Sequence, residues 1–82
     1  MRWFPRVPRS PAPDQTLAAV LKQLREQRGI TQEMLAYRAG LSVGTLGRIE
    51  VGRTAPSWDS VQRIIEALGV TLADLAAVIE AH

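Results

Sequence analysis

The residues of this chain that could do chemistry are few, and they do not gather into a reacting centre. His82 is the only histidine and has no acid or second ligand beside it, so neither a metal site nor an acid–base pair forms around it. There are no cysteines, which excludes a thiol nucleophile, a thiolate metal site and a disulfide framework. The acids lie near arginines along helical stretches, as in Arg25 with Glu26 and Arg63 with Glu66, the pattern of solvated faces. Gly44, Gly47 and Gly52 lack the strand-to-helix context of a phosphate-binding loop. Neither an enzyme nor a cofactor is expected from such a set. What remains are hydrogen-bond donors, arginine above all, whose chemistry is recognition.

The elements that must position such donors centre on Thr31 to Glu50, TQEMLAYRAGLSVGTLGRIE. Thr31 is a natural N-cap for a helix over Gln32 to Ala39, because its hydroxyl can accept from an orphan first-turn amide. Gly40 stands where the chain must leave that helix, and a residue without Cβ takes the left-handed conformation at little cost. Leu41 is expected to be buried in the turn, and Ser42 to cap a second helix from Val43 to Glu50 with Leu46 and Ile49 facing inward. Ala36 supplies the small side chain a tight crossing needs. A small residue, a glycine four positions on and an apolar residue six beyond that (Ala36, Gly40, Leu46) is the spacing of a DNA-binding helix-turn-helix.

Around this stretch the chain reads as all-α. Helix 1 is expected from an Asp14 cap to Arg28, with Leu17, Val20, Leu21 and Leu24 as one apolar stripe, Gly29 ending it and Ile30 buried in the loop. The loop VGRTAPS follows Glu50, with Gly52 permitting positive φ and Pro56 unable to continue a preceding helix. Ser57 then caps a helix with Asp59 in its first turn and Trp58, Val61, Ile64, Ile65 and Leu68 as its buried face. Gly69 closes that helix. Thr71 caps a last one, with Leu72, Leu75, Ala76 and Ile79 as the stripe. No strand is expected.

Eighty-two residues at 46% apolar allow one small domain, residues 14–82, that buries only about 60% of its unfolded surface. No apolar run approaches a membrane span, and the basic start is followed by none, so a signal peptide is not expected. The first thirteen residues, MRWFPRVPRSPAP, hold four of the five prolines. Pro5, Pro8 and Pro11 recur at the polyproline II period, so residues 1–13 read as an extended arm without its own core. Three readings stay open for it: a leader that touches nothing, an arm whose arginines meet DNA phosphates or a minor groove, or a segment docked through Trp3 and Phe4. The net charge of +2 is uneven, since Arg2, Arg6 and Arg9 stand in an acid-free start while residues 10–82 carry a net −1.

In this order, LREQRGITQEMLAYRAGLS, TLGRIEVGRTAPS and IIEALGV resemble the helix-turn-helix family of lambdoid phage repressors, Cro proteins and Xre-like regulators. The resemblance covers residues 14–80. It implies a five-helix bundle of the lambda-repressor-like type whose third helix enters the major groove, with binding as a homodimer. It implies that Gln32 and its helix N-terminus hold a phosphate, that Ser42, Val43, Gly44, Thr45 and Arg48 face bases and nearby phosphates, and that Arg53 contacts the backbone. It also implies a largely buried salt bridge between Arg25 and Glu50.

The recognition helix departs from the family pattern. At 100° per residue its outer edge is Val43, Gly44, Gly47, Arg48 and Val51, where only Arg48 offers strong donors. Arginine can bind guanine O6 and N7 together, and Val43 could pack on a thymine methyl. Two interior glycines weaken the helix by roughly 0.8–1 kcal/mol each relative to alanine. The expected function is a cytoplasmic, nucleoid-associated transcriptional regulator binding double-stranded DNA, a dimeric repressor with Ala77, Val78 and Ala81 of the last helix as a candidate dimer surface. The alternative is a protein-interaction module on the same fold, including an antitoxin whose protein partner is a toxin.

Overall fold

Hydroxyl caps set the starts of four of the five helices in the computed structural model, which describes residues 15–81. They are α1 Gln15–Gln27, α2 Gln32–Ala39, α3 Val43–Glu50, α4 Trp58–Leu68 and α5 Leu72–Ala81. Thr31, Ser42 and Ser57 each take an extended backbone and accept the N–H three residues on, from Met34, Thr45 and Ser60, at 3.0 Å. The expected arm over residues 1–13, the Asp14 cap and His82 lie outside the described residues. No strand occurs among the described residues.

The first helix ends one residue earlier than the periodicity suggests, and α1, α2 and α4 then stop by one mechanism. At α2, Gly40 takes φ +71°, its N–H donates to Tyr37 O at 3.2 Å, and Leu41 N–H donates to Ala36 O at 2.9 Å. The same paired bonds close α1 through Gly29 and Ile30, and α4 through Gly69 and Val70. In each case the apolar residue after the glycine turns back onto the core, half-buried: Ile30, Leu41 and Val70. Ile30 and Leu41 are thus less deeply enclosed than expected, because a residue one step past the capping glycine is covered from one side only.

Helix α2 packs on both α3 and α4, while α1 packs on α3 and α5. Between them Val20, Leu21, Leu35, Leu46, Ile49 and Ile64 are removed from solvent. Full burial of side chains of this size stabilises by about 1.5–3 kcal/mol each. Ala36 and Ala39 are buried where α2 meets its neighbours, as a close crossing requires.

Two faces differ from the expectation. Trp58 shares the angular stripe of Val61, Ile64, Ile65 and Leu68, yet it is 57% exposed. It is the first residue of α4, so no preceding turn continues the stripe and its ring projects past the packed layer. Leu72 opens α5 in the same way and is 48% exposed. In α5 the buried side is Leu75 with half-buried Val78 and Ile79, and Ala76 faces outward. The sequence LADLAAVIEA is apolar on nearly every side, so its period selects no single face. Val78 joins the core, leaving Ala77 and Ala81 of the candidate dimer surface exposed beside Ala76.

Thr71 and Asp74 cap α5 reciprocally: Asp74 N–H donates to Thr71 Oγ1 at 3.0 Å, and Thr71 N–H donates to Asp74 Oδ2 at 3.1 Å. The backbone hydrogen bond from Thr71, then its side chain, hold the Asp74 carboxyl below the usual carboxylate range. A depressed folded-state pKa contributes stability above the unfolded value, lost as pH falls through the folded one. In an NMR pH titration Asp74 should therefore ionise below a free aspartate, and the first-turn amides of α5 should lose exchange protection as it protonates.

A further tie joins α1 to α4. Arg28 Nε donates to Leu68 O at 2.7 Å, placing a cation on the C-terminal carbonyls of α4. Nothing local in the sequence marks this bond, whose partners are 40 residues apart. Arg28→Ala should lower stability by about 1 kcal/mol, read as a reduced urea midpoint with an unchanged slope.

Candidate nucleic-acid interface

The candidate surface rests on a buried ion pair. Arg25 from α1 meets Glu50 at the end of α3 in a two-pronged arrangement, Nε to Oε2 at 2.7 Å and Nη2 to Oε1 at 3.0 Å. Arg25 Nη1 also donates to Ile30 O at 2.8 Å, and Gln32 Nε2 donates to Glu50 Oε1 at 2.9 Å. The Glu50 side chain is 1% exposed. Glu50's hydrogen bonds raise the Arg25 pKa above the usual arginine value against the opposing effect of burial, so the guanidinium stays charged. The pairing implied by the family resemblance is therefore present, and the neighbouring Glu26 is not Arg25's hydrogen-bonded partner. Arg63 likewise pairs with Asp59 at 3.0 Å, one turn back, rather than with Glu66.

This cluster orients α3 against α1 and against the start of α2. Gln32 is half-buried, with its amide nitrogen turned toward Glu50. One Nε2 hydrogen and Oε1 stay available at the α2 N-terminus, where the first-turn amides point outward. Gly47, placed by the helical wheel on the outer edge, is half-buried and faces Gln32: a Cβ there would lie 3.9 Å from Gln32 Oε1.

On the outer side, Ser42 Oγ donates to Thr45 Oγ1 at 2.8 Å, and Arg48 Nη2 donates to the same oxygen at 3.3 Å. These three side chains form one hydrogen-bonded row along α3. Val43, Gly44 and Arg48 are exposed, and Thr45 is half-buried. Val51 just past the helix is 59% exposed. Arg53 is exposed at the far end, where its N–H and that of Thr54 donate to Arg48 O at 2.9 and 3.3 Å and fold the loop back on α3. Gly52 has φ +78° and its carbonyl accepts from Gln15 Nε2 at 3.0 Å. A Cβ at Gly52 would collide with the Gln15 amide, so the glycine lets the start of α1 clamp this loop. The arrangement is a helix edge with hydroxyls and an exposed arginine, suited to docking and hydrogen bonding.

The exposed Tyr37 and Met34 of α2, with Trp58 of α4, were not singled out by sequence as surface residues. Only their lack of neighbours in the fold reveals them. No group of three or more His, Cys, Asp and Glu residues able to hold a metal occurs among the described residues. None of their helices is long and apolar enough to cross a membrane.

Comparison with known proteins agrees with this geometry. A family model for the helix-turn-helix domain matches residues 16–78. The HTH-type transcriptional regulator DdrOP3 of Deinococcus deserti is 37% identical over 60 residues, 73% of this chain and 46% of that protein. The chain thus spans less than half the length of that relative. Among solved structures, the clp gene regulator ClgR from Corynebacterium glutamicum superposes with a TM-score of 0.78 at 30% identity, covering 87% of this chain and 78% of that one. The restriction-modification controller protein C.Esp1396I, solved as a tetramer with its natural 35 base-pair operator, gives 0.79 at 25% identity, covering 82% and 88%. In its five-helix order, its turn at Gly40 and the match over residues 16–78, the chain belongs to the helix-turn-helix domain family, among its lambdoid-repressor and Xre-like members.

Proposed function

We propose that this chain is a sequence-specific transcriptional regulator that binds double-stranded DNA as a homodimer, acts as a repressor at the nucleoid in the cytoplasm, and has no catalytic activity. The observation that carries the reading is the Ser42–Thr45–Arg48 row on the outer side of a helix fixed from behind by the Arg25–Glu50 pair. Arg48 and Val43 read base edges, and Gln32, Ser42, Thr45 and Arg53 contact or lie beside phosphates. Gly44 belongs to the reading edge. Regulators of the same fold, one solved on its operator, support the assignment. We take residues 14–82 as the binding unit and 1–13 as an arm.

A homodimer sets its two α3 helices about one DNA turn apart, roughly 34 Å. Selection from a random duplex pool, read by fluorescence anisotropy at several salt concentrations, tests this. The expected product is a near-palindrome with half-site centres about 10 base pairs apart and salt-sensitive affinity. Comparing the salt slope of the whole chain with one lacking residues 1–12 counts any phosphate contacts made by Arg2, Arg6 and Arg9. A folded protein that binds no duplex at low salt would remove the DNA reading.

A second reading, a protein-interaction module or an antitoxin, is favoured by the apolar side chains at the two ends of α3, Val43 at 41% and Val51 at 59% exposed. It predicts a 1:1 toxin or other protein partner co-purifying from the native host.

A further inference from the structure

Six glycines occur in the chain, and the fold accounts for all but two. Four take positive φ, among them the turn residue Gly40 and the clamped Gly52. Gly44 and Gly47 lie inside α3 with negative φ, where glycine is the least favoured residue after proline. Among the described residues, a Cβ at Gly44 would meet only Arg48 Nη1, at 3.4 Å, the far end of a flexible side chain able to swing away. Nothing in the packing of the described residues requires that Gly44 lack a side chain. Gly47 differs, because it is half-buried and faces Gln32 within the motif.

We propose that Gly44 is a specificity-determining close-approach position, bare so that the first turn of α3 seats deeply against the bound duplex. The proposal rests on the DNA-binding reading above and extends it to a residue that contributes no side-chain contact of its own. Gly44 and Arg48 are one turn apart on the same exposed edge. The depth at which backbone 44 rests therefore sets how far the Arg48 guanidinium reaches toward base edges. A side chain at 44 holds the helix away, and Arg48 loses the in-plane approach that two simultaneous bonds to a guanine require. Phosphate contacts elsewhere tolerate such a shift better, so base preference falls before general affinity does.

The test measures Tm, and affinity for the selected and for a scrambled duplex, in the wild type, Gly44→Ala, Gly44→Leu and Gly47→Ala. Relief of the glycine penalty should raise Tm by about 4 °C or more in both alanine variants, so loss of fold cannot explain a loss of binding. Gly44→Ala should lose about tenfold in affinity for the selected duplex and Gly44→Leu more, with the scrambled duplex bound as before. Gly47→Ala should keep the wild-type preference. Unchanged preference in both Gly44 variants overturns the proposal. Equal loss in Gly44→Ala and Gly47→Ala assigns the effect to a stiffer helix and overturns it too. A folded wild-type protein that selects no duplex removes the regulator reading itself, and this proposal with it.

Discussion

Replacing the buried Arg25 with methionine is expected to lower the stability of this domain by about 3–5 kcal/mol. A domain of this size has only about 4–12 kcal/mol in total, so the variant should lose a large share of its stability. The cause is the group left behind. The Glu50 carboxylate, 1% exposed, would keep among the described residues only the Gln32 amide as partner and could not recover its lost bonds from water. Replacing both residues, Arg25→Met with Glu50→Leu, should restore most of the loss, because a buried ion pair gains little over apolar packing once neither charge is stranded. Guanidinium denaturation of the two single variants and the double one reads this directly. A single variant with the wild-type midpoint would show that the pair does not hold α1 to α3. Any loss of DNA binding in Arg25→Met must be compared with its folded fraction, since the same residue that secures the surface never touches the ligand in the proposed mode.

The parts of this fold that were legible in sequence are those with a local physical cause. Thr31, Ser42 and Ser57 mark helix starts because a hydroxyl one residue before the helix satisfies an orphan amide, and all three do so. Gly40 and Gly69 mark ends because they take the left-handed conformation there. Trp58 and Leu72 failed because periodicity gives an angle around a helix but not whether anything covers its first residue. The face of α5 failed because a helix apolar on most sides has no preferred angle. The Arg25–Glu50 pair came from the family resemblance: separated by 25 residues, it has no local signature. The Arg28 bond to α4 had neither source. At the candidate site the wheel found the exposed Val43, Gly44, Arg48 and Val51, but placed Gly47 on the outer edge. The turn of Gln32 toward Glu50 depends on the crossing of α2 and α3, which composition cannot supply.

Two arginines near the C-terminal end of α3, Arg48 and Arg53, should respond differently to alanine. Arg48→Ala should lower affinity for the preferred duplex by about 5- to 150-fold, the value of one bidentate pair, and flatten base preference at one position in each half-site. Its only side-chain hydrogen bond among the described residues, to Thr45 Oγ1 at 3.3 Å, is long and exposed, so stability should stay within about 0.5 kcal/mol of wild type. Arg53→Ala should instead weaken all duplexes alike and reduce the slope of log affinity against log salt by about 1 for each protomer's contact. The contrast lies in where the guanidiniums stand. Arg48 projects from the exposed edge of α3, whereas Arg53 follows the loop that folds back beneath it. Anisotropy against a panel of single-base variants at several salt concentrations separates the two. If Arg48→Ala weakens all duplexes equally while base preference survives, Arg48 is a phosphate contact, and Val43 with the bare backbone at Gly44 must carry what sequence discrimination the protein has.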